Sequence, residues 1–388
     1  MKPVLRLGAA SPFGLALPSG TPTASQLYAP RGVWLGDDVL VAADSGNHRL
    51  LIWHGLPDAD GAPADVVLGQ ADFTSEGAAA GGTSVANGLH LPTAVAVVDG
   101  HLVVADAWHH RVLVWDGVPQ RSGEPPVLVI GQESLEATAP NRGGAVGATT
   151  LYWPYGVGEA GGWFWIADTG NRRVLGWPSL PLGGEAPAVI VGQPDDTSHD
   201  ENRGGEARAD SFRWPHAVTG DGETLYVADA GNHRVLGWSP PPRQDAPATL
   251  CLGQRSMEAN EELPHRKQGA HRLRFPYGAS ASGDRLVVAD TANNRVLVWD
   301  GLPRVGVQRP ADAVLGQPEF DAAGENRWTA VAADSLCWPY GLSLRGDRLA
   351  IADSGNNRIV LWTLAYGGRD DATRAGASHS AGVAAHVP

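Results

Sequence analysis

Short apolar segments separated by turn residues run along most of the chain. In residues 30–70 such segments lie near 32–36, 39–43, 49–53 and 65–69. Their length and the glycine, proline and aspartate residues that bound them predict β-strands. The segment from Leu50 to Trp53 is apolar without alternation, which indicates a strand buried on both faces. The pattern therefore predicts an all-β fold.

The same four-strand pattern recurs, and each copy carries an Asp-x-x-Asn-x-Arg motif, with His109 in place of the Asn in the second copy. The motif begins at Asp44, Asp106, Asp168, Asp229, Asp290 and Asp353. A proline stands 14 residues before each of these aspartates, and a tryptophan stands nine residues after it. Six copies of about 62 residues, each with four short strands, predict a six-bladed β-propeller of four-stranded blades.

The N-terminus carries the piece that the last repeat lacks. Leu, Val or Ile followed by Gly-Gln ends the fourth strand of five repeats, and the segment from Pro3 to Gly8 is similar to the one that ends at Gly69. We therefore expect the N-terminal strand to join the last blade and close the ring. Residues 1–367 form the predicted propeller, and residues 368–388, rich in Ala, Gly and Ser, form a predicted disordered tail.

Composition and charge narrow the possible partners. The net charge of −13 disfavours nucleic acid and anionic membranes, because both attract an excess of Lys and Arg. No apolar run is long enough to span a membrane, and the N-terminus lacks a signal-peptide pattern. The two cysteines, Cys251 and Cys337, form no disulfide framework. These features predict a cytoplasmic protein.

The first candidate site is the mouth of the central channel. In a propeller, the residue after the proline that opens each inner strand should encircle this mouth. These residues are Arg31, Thr93, Tyr155, His216, Tyr277 and Tyr340. They offer donors, acceptors and flat rings without an obvious nucleophile. They form either a ring that binds a ligand or partner, or a solvent-filled channel mouth.

The second candidate is a patch in the second repeat, where Trp108, His109 and His110 interrupt the motif. Adjacent histidines at a strand end point apart, so we predict no metal site. The patch is either a local interaction surface or a variant turn. Asn-Arg pairs in three long loops, at 141–142, 202–203 and 326–327, are either structural clasps or an anion- or partner-binding rim.

Asp-x-Gly-Asn-x-Arg-Val at this period resembles the NHL repeat family, which includes bacterial members. The best matches begin at Asp168 and Asp229, and the resemblance covers about residues 1–367. It implies a propeller used as a binding or scaffolding surface. One branch, resembling peptidyl-hydroxyglycine lyases, holds zinc with three histidines, each directly after an inner-strand proline. Only His216 matches here. Some bacterial relatives suggest an accessory role in a metalloenzyme system.

These observations lead to two functional hypotheses. The repeat shows no nucleophile elbow, phosphate-binding loop or zinc motif. The first hypothesis is a non-catalytic binding or scaffold propeller without a cofactor, which presents its long loops to a protein partner. The alternative is a small-molecule-binding protein or a lyase- or hydrolase-type enzyme with its site at the channel mouth.

Overall fold

The computed structural model describes residues 1–8, 20–262 and 265–365, and this part of the chain forms six β-sheets arranged as the blades of a propeller. Each blade has an inner, a second, a third and an outer strand, joined antiparallel. Blades 1 to 3 contain Gly32–Leu35, Val39–Asp44, Arg49–His54 and Val66–Leu68; Pro92–Val98, His101–Asp106, Arg111–Trp115 and Leu128–Ile130; and Pro154–Ala160, Trp163–Asp168, Arg173–Trp177 and Val189–Val191. Blades 4 to 6 contain Pro215–Gly220, Leu225–Asp229, Arg234–Trp238 and Leu250–Leu252; Pro276–Ser282, Arg285–Asp290, Arg295–Asp300 and Ala313–Leu315; and Pro339–Arg345, Arg348–Asp353, Arg358–Thr363 and Lys2–Gly8.

Short helical turns occupy the connections. In each blade, a 3-10 turn follows the second strand. These turns are Ser45–Asn47, Ala107–His109, Thr169–Asn171, Ala230–Asn232, Thr291–Asn293 and Ser354–Asn356. Three long loops contain further 3-10 turns at Pro140–Gly143, Glu201–Gly204 and Glu325–Trp328, and a fourth contains the short helix Ala78–Gly82. Within the described ranges, no helix has the length and hydropathy needed to cross a membrane.

The N-terminal strand closes the ring, as predicted. Lys2–Gly8 pairs antiparallel with Arg358–Thr363, so that Leu5 faces Leu361 and Leu7 faces Ile359. A bulge between Pro3 and Leu5 shifts the register once. Leu7 is fully buried among side chains of blades 6 and 1. The predicted disordered tail, 368–388, lies outside the described residues.

The core lies between blades. The tryptophan at or next to the end of each third strand is at most 4% exposed. Five of the six indole nitrogens donate to a carbonyl in the link to the outer strand; Trp53, for example, donates to Ala62 O at 3.0 Å. Each apolar cluster joins two neighbouring blades, as Leu50 of blade 1 and Val95 of blade 2 illustrate. The large aromatic area therefore stabilises the wedge between blades.

The Asp-x-x-Asn-x-Arg motif is structural, in keeping with its occurrence in every blade. In blade 3, Asp168 Oδ2 accepts hydrogen bonds from Asn171 Nδ2 and Arg173 Nε, both at 2.8 Å. Its Oδ1 accepts one from the Tyr152 backbone at 2.8 Å. The terminal nitrogens of Arg173 donate to the carbonyls of Gly147, Thr150 and Asp196. A fully buried arginine thus connects the long loops on either side of its turn.

The links between third and outer strands cover the outer edge of the preceding blade at several places. Gly306–Val307, in the link of blade 5, pairs parallel with Leu250–Leu252, so blade 4 has a fifth strand that the sequence did not predict. Gly123 N donates to Val67 O at 3.1 Å, and Gly61 N donates to Arg6 O at 2.9 Å. These bonds satisfy backbone groups that an open edge would leave unpaired.

Candidate functional site

One end of the propeller carries most of the variable sequence. Each inner strand begins beside the aspartate that ends the second strand, as the pairing of Pro154 with Asp168 shows. The long loops from each outer strand to the next inner strand arrive at the same end. We call this end the long-loop face, and we call its six predicted residues, Arg31, Thr93, Tyr155, His216, Tyr277 and Tyr340, the channel mouth.

The structure brings all six channel-mouth residues together around the axis. The ring centroids of Tyr155 and His216 are 4.5 Å apart, those of His216 and Tyr277 are 4.4 Å apart, and those of Tyr277 and Tyr340 are 4.8 Å apart. The Arg31 guanidinium lies over the Tyr340 ring, 5.1 Å from its centroid. Thr93 Oγ1 donates to Tyr155 O at 3.0 Å. Four rings and a guanidinium from five blades therefore form one continuous stack.

Burial favours the uncharged forms of His216, Tyr277 and Tyr340. It lowers the pKa of His216 to about 3, and the nearby Arg31 charge acts in the same direction. Burial raises the pKa of Tyr277 to about 12 and also raises that of Tyr340. The phenols of Tyr277 and Tyr340 are therefore hydrogen-bond donors at neutral pH, and the His216 imidazole is neutral.

Small residues after the channel-mouth positions let the inner strands approach closely. A Cβ on Gly341 would lie 2.5 Å from Arg31 O, and one on Gly32 would lie 2.9 Å from Thr93 O. Gly156 and Gly278 face the carbonyls of His216 and Tyr340 in the same way. The Pro-x-Gly/Ala pattern at each inner strand is the sequence signal for this approach, and it was not used in the prediction.

The three residues of the predicted blade-2 patch differ in burial: His109 and His110 are buried, and Trp108 is exposed. His109 takes the place of the motif asparagine: its Nδ1 lies 2.9 Å from Asp106 Oδ2, and the residue is 5% exposed. His110 is also buried, and its Nδ1 accepts from Trp153 N at 3.2 Å. Trp108 alone is exposed. Among the described residues, no three His, Cys, Asp or Glu side chains are placed to hold a metal ion.

The bond to His110 is one of five equivalent hydrogen bonds between blades, in which a side chain accepts from a backbone N–H. We call these bonds ties, and the sequence analysis did not identify them. The residue before each motif arginine is left-handed, and its side chain accepts from the backbone N–H that precedes the next inner-strand proline. The acceptors are His48, His110, His233, Asn294 and Asn357, with distances of 2.8–3.2 Å. Arg172 occupies this position in blade 3, and there Trp214 N donates to Asp229 Oδ1 at 3.1 Å instead. The recurrence of His or Asn at this position was the available signal.

The histidine ties predict a loss of stability in mild acid. Burial lowers the pKa of His233 to about 4, with Glu262 and Asp229 opposing and Arg213 and Arg274 adding to the shift. Because the folded pKa lies below the ordinary value of 6.5, this stability is complete above pH 6.5 and is lost as the pH falls toward 4. Between pH 7.5 and 5.5 the loss should be about 1 kcal/mol for this group.

His233→Asn is the matched variant, because Asn294 Oδ1 makes the same tie at 2.9 Å without titrating. We expect denaturant unfolding of the variant to show a smaller difference between pH 7.5 and 5.5 than the wild type shows. An equal difference in both proteins would assign the pH dependence to other groups.

Exposed aromatic side chains surround the channel mouth on the long-loop face. They are Tyr28, Trp108, Trp328 and Trp338, with exposures of 44%, 42%, 80% and 46%. Trp338 Nε1 donates to Glu325 Oε1 at 2.9 Å, and a groove between blades 5 and 6 is lined by Trp328, Trp338 and Phe275. Arg213 lies over the Trp214 ring at 5.1 Å. This rim combines aromatic area with charged groups.

The Asn-Arg pairs act as loop clasps. Asn141 and Asn171 exchange side-chain hydrogen bonds at 2.9 and 3.2 Å, and Arg142 Nε donates to Gly131 O at 3.3 Å. The pairs at 202–203 and 326–327 make the equivalent contacts. These bonds support the structural interpretation over an anion-binding rim.

Comparison with known proteins points to one repeat family. The family model described as NHL repeat matches residues 89–115, in blade 2, although the turn of this blade departs from the motif. The human protein NHL repeat-containing protein 2 is 25% identical over an alignment of 290 residues, and the match covers 68% of this chain. The chain spans 37% of the length of that relative.

Solved structures with a similar fold include virginiamycin B lyase from Staphylococcus aureus, with 12% identity, a TM-score of 0.44 and coverage of 89% of this chain and 98% of that one. A structural genomics protein of unknown function from Bacteroides thetaiotaomicron has 13% identity, a TM-score of 0.48 and coverage of 94% and 75%. At these values neither structure bears on what this chain binds.

Proposed function

Since this chain is a six-bladed β-propeller that matches the NHL repeat model in blade 2, we propose that it is a binding or scaffold protein whose long-loop face docks a protein partner. The observation that carries the proposal is the exposed aromatic rim. Tryptophan, tyrosine and arginine contribute disproportionately to protein interfaces, because they bury a large area with few rotatable bonds. Tyr28, Trp108, Trp328 and Trp338 are the exposed aromatic side chains of the described part, and all four lie on this face.

The groove between blades 5 and 6 is the proposed centre of the contact. Trp328, Trp338, Arg266 and Arg274 all line it. Arg274 is held by Glu262, with Nη2 and Oε1 2.7 Å apart, so the groove has a preorganised polar edge. An apolar anchor beside fixed polar groups favours a folded protein surface or a loop.

Capture from native cells tests the proposal. Wild-type protein immobilised through its C-terminus should recover a reproducible partner, and Trp338→Ala should weaken binding of that partner by about 2 kcal/mol, roughly thirtyfold. Leu182→Ala is the control, because Leu182 is 52% exposed in the third-to-outer link of blade 3, at the opposite end. A partner retained by Trp338→Ala and lost by Leu182→Ala would place the interface elsewhere.

The accessory role in a metalloenzyme system, suggested by resemblance, stays a prediction, and recovery of a metalloenzyme subunit in the capture experiment would support it. We also propose a reducing compartment for this chain, such as the cytoplasm, because Cys251 and Cys337 are both free and buried. Burial raises the pKa of the Cys337 thiol to about 12, which disfavours the thiolate that a nucleophile needs.

A further inference from the structure

The channel mouth contains hydroxyl groups that donate no hydrogen bond to a described protein group. The hydroxyls of Tyr155, Tyr277 and Tyr340 make no hydrogen bond to another described residue, although Thr93 close by is bonded to Tyr155 O. Polar groups in partly buried positions normally find a partner in the protein, in water or in a ligand. Three unused phenol donors at one constriction therefore indicate a place for an external acceptor.

The stack determines which part of each ring a ligand can reach. His216 lies between Tyr155 and Tyr277, and Tyr277 lies between His216 and Tyr340, with tilts of 26–48° along the series. The faces of the inner rings are therefore covered by neighbouring rings. The ring edges, with their hydroxyl and imidazole groups, remain available, so the site favours hydrogen bonding over insertion of another flat ring.

The only formal charge in the lining of the channel mouth is positive. Arg31 is the only ionised residue that lines the cavity there, and no aspartate or glutamate lines it. Within the described part of the chain, Arg31 makes no ion pair, whereas all six motif arginines have a carboxylate partner. A half-buried guanidinium without a counterion is unusual in a chain whose net charge is −13.

We propose that the channel mouth binds an oxyanion, a carboxylate or phosphate group, with Arg31 as the charged donor and the hydroxyls of Tyr155 and Tyr277 as neutral donors. Arginine presents paired N–H groups that match the two oxygens of such an anion. The carbonyl bond from Thr93 holds the backbone of Tyr155 in place. This site shares Tyr277 with the groove between blades 5 and 6, whereas Arg31 lines only the channel mouth, so Arg31 tests the site independently of the proposed partner docking.

Calorimetric titration with inorganic phosphate and with benzoate, at constant ionic strength, tests the site. We expect saturable binding of at least one probe at millimolar concentration or below. Arg31→Gln should weaken that binding at least tenfold, and Tyr277→Phe, which removes only a hydroxyl, should weaken it several-fold. Arg121→Gln is the control for total charge, because the Arg121 side chain is 86% exposed, and it should bind like the wild type.

Two further arms identify the source of the oxyanion. A short peptide with a free C-terminal carboxylate and the same peptide as its amide distinguish a partner's chain end from a small molecule. If the peptide acid binds more tightly than benzoate and the amide does not bind, the site is assigned to the C-terminus of a partner chain. If the peptide acid binds more weakly than benzoate, the site is assigned to a small molecule.

The melting temperature of each unliganded variant controls for folding. If Arg31→Gln is unfolded, Tyr277→Phe carries the test. Unchanged binding in a folded variant, or no binding of any probe to the wild type, would overturn the proposal. Trp338→Ala should leave anion binding intact, so failure of this site and failure of partner docking give different results.

Discussion

Replacing Arg173 with methionine is expected to lower the free energy of unfolding by about 3–5 kcal/mol, because it leaves Asp168 buried without its charge partner. Both side chains are fully buried, and Arg173 Nε lies 2.8 Å from Asp168 Oδ2. The substitution also removes donors to three loop carbonyls around the turn. Burial already raises the pKa of Asp168, and loss of the guanidinium would raise it further.

Urea unfolding followed by tryptophan fluorescence measures this effect, and Arg121→Met is the control on an exposed arginine. The double variant Asp168→Asn, Arg173→Met should recover part of the loss, since it removes the uncompensated carboxylate. A loss below about 1 kcal/mol, the range of exposed ion pairs, would contradict the role assigned to the motif.

Removal of residues 1–8 is expected to abolish most of the stability. The truncation takes the outer strand from blade 6 and exposes the third strand, Arg358–Thr363, along its backbone. The truncation removes Leu5 and Leu7 from an apolar cluster that blade 6 shares with blade 1. Loss of each buried leucine lowers the free energy of unfolding by about 2–5 kcal/mol. Their sum is comparable with the whole stability of a typical domain, roughly 5–15 kcal/mol.

Thermal unfolding and limited proteolysis check this expectation. A synthetic peptide of residues 1–8, added to the truncated protein, should restore protease resistance in a concentration-dependent manner. Leu7→Ala should show part of the loss, and Lys2→Ala, at an exposed position, should show almost none. A truncated protein that melts like the full chain would mean that the ring does not depend on this strand.

The repeat made the fold predictable, because the Asp, Pro and Trp markers each report a fixed position in a blade. The pairing of Lys2–Gly8 with the last blade followed from the incomplete Gly-Gln series. The added strand at Gly306–Val307 could not be foreseen, because two residues in a proline-rich link carry no periodic signal. Its existence depends on how the neighbouring blade is oriented.

The candidate site was predictable in position and less so in detail. Placing one residue per blade at the channel mouth required only the register of the inner strands. The mutual stacking of Tyr155, His216 and Tyr277 depends on close approach of these strands, which Pro-x-Gly/Ala permits. His109 substitutes for an asparagine in a buried network, and the spacing alone could not distinguish this variant turn from a local interaction surface.

The link that covers the N-terminal strand has a consequence for synthesis on the ribosome. The strand's main partner, Arg358–Thr363, is translated some 350 residues later. The first strand therefore cannot pair with it until almost the entire chain has been synthesised. Gly61 N bonds Arg6 O at 2.9 Å, and Asp60 Oδ1 accepts from Arg6 N at 2.8 Å. These anchors emerge early, so nascent blade 1 can hold the first strand in position until its permanent neighbour is made.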